Sequence, residues 1–128
     1  MVAFSRLEAP VTAPATATEV ALNLARLARD LDQTVRALES ADRDATEKRA
    51  VFDLAFSRAF IAATGAVEQR KHLAVVEVHR QRLEADVSDA VVRHLRRKLD
   101  ALKVRIDVGR SYGAAVRAEI ALGGGDGP

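Results

Sequence analysis

The apolar positions of this chain are spaced for helices that pair. From Val20 they advance in alternating steps of four and three through Leu24, Leu27, Leu31, Thr34, Leu38, Ala41 and Ala45, and Phe52, Ala55, Ala59 and Ala62 stay in the same frame. That spacing makes the narrow seam of a coiled coil rather than the broader stripe of a globular surface helix. Lys48 interrupts the seam and Ser40–Asp44 is polar, so a kink or break competes there with the preferred reading of one continuous helix. Its start is signalled by Thr16-Ala-Thr-Glu19, the spacing of a capping box in which the hydroxyl accepts an early helix N–H and the carboxylate reaches back. Before it, residues 1–16 carry Pro10 and Pro14 among Ala, Thr and Val and read as a flexible N-terminal arm.

Ala63-Thr64-Gly65-Ala66 is the clearest punctuation in the chain. Gly65 can end one helix in a left-handed conformation or serve as N-cap to the next, which has Glu68 in its first turn. A second helix is predicted from Val67 to Leu122. Its first half has a seam at Leu73, Val76, Leu83, Val87 and Ala90. Its second half shows Val92, Leu95, Leu99, Leu102, Ile106, Gly109, Gly113, Val116 and Ile120 at strict three-four spacing. The two frames do not join, which predicts a stutter between Val87 and Leu95 that locally unwinds the supercoil. Gly123-Gly-Gly-Asp-Gly-Pro128 reads as a flexible tail.

The expected organisation is therefore all-α. An arm (1–16) precedes a helical hairpin of long amphipathic helices (17–122, turn near 63–66), and a Gly-rich tail (123–128) follows. At 1.5 Å per residue each helix would be roughly 70–80 Å long. A rod two helices thick leaves its flanks uncovered, and Val51, Phe56, Phe60 and Ile61 fall outside the first seam. Oligomerisation is the expected consequence, with Leu24, Leu31, Leu38, Phe52, Phe56, Phe60, Leu99, Leu102, Ile106, Gly109 and Gly113 as interface candidates.

Composition sharpens this picture. Of 128 residues, 48% are apolar, but 25 of them are alanine and only 4% are aromatic, with no Trp. Such a chain cannot fill a thick globular core, whereas alanine-rich helices can approach closely. The absence of Cys excludes disulfides, thiolate metal sites and a Cys nucleophile. The N-terminus lacks a signal-peptide pattern, no apolar run reaches the ~20 residues of a membrane span, and a cytoplasmic location is expected.

Net charge is +2, unevenly spread: residues 1–65 hold 8 basic and 9 acidic groups, residues 66–128 hold 12 and 9. Sixteen of the 20 basic residues are Arg, suited to bidentate phosphate or carboxylate contacts; a GC-rich genome would enrich Arg and Ala equally. The basic density peaks at Arg93, Arg96, Arg97, Lys98, Lys103 and Arg105, with Asp100 the one acid among them. Arg96, Lys103, Arg110 and Arg117 recur every seven residues, on one edge of the helix beside its seam. A stripe about 30 Å long can follow a phosphate backbone and release counterions, and Tyr112 offers a face for base stacking. The competing reading is that these flanking charges pair with acids on a neighbouring helix, for which Asp30, Asp42 and Asp44 are available.

Gly109 and Gly113 each cost about 1 kcal/mol relative to Ala inside a helix, which points to close helix–helix approach; a hinge or a phosphate contact are the alternatives. His72, His79 and His94 lack the three- or four-residue spacing of helical metal ligands. No nucleophile–base constellation, paired carboxylate cleft or phosphate loop appears, so no enzyme activity, cofactor or metal is expected.

The stretch from Gly65-Ala-Val-Glu-Gln-Arg-Lys71 through Leu95-Arg-Arg-Lys-Leu-Asp-Ala-Leu-Lys-Val-Arg-Ile-Asp-Val-Gly-Arg-Ser111 resembles small helical proteins encoded by phages and prophages. Its layout is similar to UvsY-type recombination mediators: a Glu/Lys-rich helix, a Gly turn, an Arg-Lys pair, then a basic run at heptad spacing. The likeness covers roughly residues 45 to 120. It implies an oligomeric helical protein that binds single-stranded DNA and works beside a recombinase or a single-strand-binding protein in the host cytoplasm. It nominates Arg70, Lys71, Arg96, Arg97, Lys98, Lys103 and Arg110 as DNA contacts, to which the basic stripe adds Arg93, Arg117 and Tyr112. The alternative is a coiled-coil adaptor or structural phage protein whose stripe meets an acidic protein partner.

Overall fold

The computed structural model describes residues 16–124, which are all-helical: α1 (Ala17–Ala62), α2 (Val67–Glu77) and α3 (His79–Gly124). The N-terminal arm up to residue 15 and the last four residues of the tail lie outside the described residues. Both halves of the capping box at Thr16 are formed. The Glu19 N–H donates to Thr16 Oγ1 (3.2 Å), and the Thr16 N–H donates to the Glu19 carboxylate (3.1 Å). Helix α1 then runs 46 residues without interruption, straight through Ser40–Asp44. Lys48, half-buried, leans along the helix to Asp44 at 3.1 Å, so its stem lines the seam while its charge leaves it.

After Ala63 the chain reverses through Gly65 at φ 114°, a backbone conformation that a Cβ disfavours. A side chain there would also meet Gln69 Oε1 at 2.6 Å. Gly65 is thus neither cap: Ala63 closes α1 and Ala66 opens α2.

Helices α1 and α3 lie side by side with opposite direction. Val20 and Leu24, at the start of α1, face Gly113 and Gly109 near the end of α3. Asp42 meets Arg96, and Arg49 meets Asp86 and Asp89. Next to the turn, Arg70 on α2 reaches the Phe60 carbonyl of α1.

The predicted second helix is divided at Val78 (φ −105°, ψ 18°). The Val78 N–H still donates to the Ala74 carbonyl, and the Arg82 N–H to the Val78 carbonyl, both at 3.0 Å. These two hydrogen bonds bridge the division between the helices.

A second difference concerns which face is covered. Leu73, Val76, Leu83, Val87 and Ala90, expected to form the first half of the seam, are exposed. The row against α1 is instead Ala74, Val78, Gln81, Ala85, Ser88 and Val92, buried or half-buried. It continues without a slip into Leu95, Leu99, Leu102, Ile106, Gly109, Gly113 and Val116. The frame is one strict three-four repeat from Ala74 to Val116, so no stutter exists between Val87 and Leu95. The apparent mismatch arises because the largest apolar residues of α2 and early α3 belong to a different face. On α1 the expected seam is covered throughout from Val20 to Ala59; Ala62 is exposed.

Candidate nucleic-acid interface

The proposed binding residues fall into two groups according to what α1 offers them. Near the turn, cations are engaged. The Arg70 guanidinium lies 4.3 Å from the centroid of the Phe60 ring and donates to the Phe60 carbonyl at 3.1 and 3.3 Å, an arrangement that fixes the turn. Lys71 pairs with Glu68 one turn earlier (3.5 Å). Arg49 joins Asp89 and, at 3.1 Å, Asp86 across the helices while stacking on Phe52. The hydrogen bonds it donates to Asp89 first and Asp86 second hold its guanidinium charged beyond the ordinary arginine range. Arg96 reaches Asp42 at 3.5 Å. Asp42, Arg49, Asp89 and Arg96 rim an open groove of about 570 Å³ that also includes Asp53 and Arg93, where both signs of charge alternate.

Beyond Arg96 the pattern changes. The crossings at Asp42–Arg96 and Arg49–Asp89 share one antiparallel offset, which places Val35, Ala28 and Ala21 of α1 opposite Lys103, Arg110 and Arg117. Helix α1 thus presents small and apolar residues to three successive cations. Among the described residues Lys103 and Arg117 make no ion pair, and Arg110 has only Asp107 on its own helix, at 4.0 Å. Arg93, Arg97, Lys98 and Arg105 are likewise exposed and form no ion pair there. Asp30 and Asp44, available in sequence as partners, do not reach this stripe. Asp44 pairs with Lys48 and accepts from Ser88 Oγ, and the Asp30 carbonyl accepts from Thr34 Oγ1. Tyr112 is half-exposed on the opposite flank of the α3 seam from Arg110.

Sequence reasoning missed a second basic row. Arg29, Arg36 and Arg43 recur every seven residues on α1, are exposed, and form no ion pair among the described residues. The heptad interval that singled out Arg96 to Arg117 was present here too, hidden by the intervening Asp32 and Glu39.

The residues proposed for an oligomer interface are mostly used within the chain. Leu102 and Gly113 are buried, and Leu24, Leu31, Leu38, Phe52, Leu99, Ile106 and Gly109 half-buried, all in the α1–α3 seam. A Cβ on Gly109 would stand 2.8 Å from Leu24 Cδ2, and one on Gly113 3.1 Å from Val20 Cγ1. The two glycines therefore let the helices approach closely. Phe56 and Phe60 are half-buried and stack along α1, with ring centroids 6.4 Å apart. His72, His79 and His94 are exposed, and no cluster of His, Cys, Asp and Glu fit to hold a metal occurs among the described residues. No helix among them is long and apolar enough to cross a membrane. No protein-family model, curated protein or solved structure matches the chain.

Proposed function

We propose that this chain is a non-enzymatic, homo-oligomeric helical hairpin that binds single-stranded DNA through the distal half of α3. The observation that carries the reading is the row Lys103, Arg110 and Arg117. Across the seam these cations face Val35, Ala28 and Ala21, so cross-helix pairing does not account for their charge, and the one ion pair among them is that of Arg110 with Asp107 on its own helix. Holding like charges along about 21 Å of helix costs electrostatic energy that a polyanion relieves, and each phosphate neutralised releases counterions. The α1 row of Arg29, Arg36 and Arg43 widens the basic surface. A flexible single strand can bend to meet separate rows, and Tyr112 supplies one stacking surface. By resemblance, the role is that of a recombination accessory protein from a phage or prophage, acting in the host cytoplasm beside a recombinase or single-strand-binding protein.

The test is fluorescence anisotropy with labelled oligo-dT and a matched duplex over a range of salt. Micromolar or tighter single-strand binding that weakens steeply with salt is expected. The variant Lys103→Gln/Arg110→Gln/Arg117→Gln should lose affinity while keeping its helical circular dichroism. Undiminished affinity in that variant overturns the assignment.

A second reading, a coiled-coil adaptor for a protein partner, is favoured by one separate observation, the apolar row Leu73, Val76, Leu83 and Val87 left exposed on α2 and α3. It predicts no DNA binding at low salt by a well-folded oligomer.

A further inference from the structure

The exposed row on α2 and α3 is itself a seam. Leu73, Val76, Leu83 and Val87 are 48%, 77%, 53% and 55% exposed, and they keep steps of three, four and seven. The same frame continues through Ala90, is interrupted by His94 and Arg97, and resumes at Ala101 with the exposed Val104 and Val108. At 100° per residue this row is centred about 160° from the row that packs on α1, so the two seams lie on opposite faces. Helix α1 cannot cover both. An apolar three-four frame that recurs on both sides of Arg80, His94 and Arg97 is the pattern of a helix that pairs with another helix.

The charges beside the row identify that helix. One edge carries Glu77, Glu84, Val91, Lys98 and Arg105 at seven-residue intervals: two acids, an apolar centre, two bases. The edge is self-complementary on reversal about Val91. Two copies laid antiparallel set Glu77 opposite Arg105 and Glu84 opposite Lys98, twice over by symmetry, whereas a parallel pair sets like against like. The matched stretch from Glu77 to Arg105 is about 42 Å long. Arg80, the one cation among the apolar residues of its first half, already turns aside to Glu84 at 3.4 Å.

We propose that the outer face of α2 and α3 docks a second copy of this chain, antiparallel and centred near Val91. The proposal rests on the oligomeric part of the functional reading and is independent of DNA. It places Lys103, Arg110 and Arg117 of the two copies at opposite ends of the dimer, so one strand can span both basic rows.

The experiment is sedimentation velocity on the full chain without nucleic acid. Wild type is expected at twice the chain mass or a multiple of it, and Val76→Glu/Leu83→Glu at the monomer mass with unchanged helicity. Glu77→Lys/Glu84→Lys and Lys98→Glu/Arg105→Glu should each weaken association, and the four changes combined should restore it. A monomeric wild type overturns the oligomeric reading and this one together. A wild-type oligomer indifferent to Val76→Glu/Leu83→Glu overturns this face alone, and failure of the fourfold swap to restore association overturns the antiparallel arrangement.

Discussion

The half of the α1–α3 pair near the turn and the half far from it are built on opposite plans. Near the turn the seam is small and partly polar: Ala45, Ala55 and Ala59 on α1, with Ala74, Ala85 and Ser88 on α2 and α3. Small side chains predominate there, Phe52, Val78 and Val92 apart, and cross-helix contacts from Arg49, Arg70 and Asp44 tie the edges. Far from the turn the seam carries Leu24, Leu27, Leu31, Leu99 and Leu102, and cross-helix ion pairs are absent among the described residues beyond Arg96. Packing holds the distal half, which leaves its cations for another use. Charge pairing supplements packing in the proximal half, which leaves its large apolar residues for another use.

The comparison breaks most sharply at Leu102, which is 3% exposed. Leu102→Ala should destabilise by about 2–5 kcal/mol in urea unfolding, through lost burial and the cavity left behind. Overpacking should cost less. Ala85→Leu, at a site with no exposed surface, and Gly109→Leu, against Leu24, should each cost roughly 1–3 kcal/mol. If Ala85→Leu stabilises, the proximal seam is loose rather than close-packed. Gly65→Ala should cost about 1–3 kcal/mol, from strain at positive φ, without altering the seam.

Charge changes come last in stability and first in binding. The Lys103→Gln/Arg110→Gln/Arg117→Gln variant should stay within about 0.5 kcal/mol of wild type. Its log–log dependence of single-strand affinity on salt should flatten by about 2, from three contacts at roughly 0.7 each. Arg49→Gln should do the reverse, leaving that slope unchanged and slightly lowering the unfolding midpoint at low salt, an effect that high salt removes because exposed pairs are screened.

The distal half is legible in the sequence because its signals agree. Leucines at strict spacing, the capping box at Thr16 and two glycines that need a packing reason all point to the same face. In the proximal half they conflict. Large residues at Leu73, Val76, Leu83 and Val87 outrank alanines wherever apolar size is weighted, so the sequence points to the wrong row as the seam and implies a stutter that the structure lacks. The stripe at Arg96 to Arg117 was legible as an interval of seven, but not the division within it, since only the position of Asp42 separates Arg96 from the three cations beyond.

By itself the sequence determined that the described chain is helical, where its first helix begins, and that it reverses at Gly65, because capping, periodicity and backbone freedom are local properties. Tertiary structure decided which of two seams on α2 and α3 turns toward α1. The helix divided at Val78 is bridged there by two hydrogen bonds and keeps one covered row across the division. Its leucine-rich distal seam therefore sets the azimuth of the whole, and the alanines near the turn are carried inward while the larger residues are left facing out.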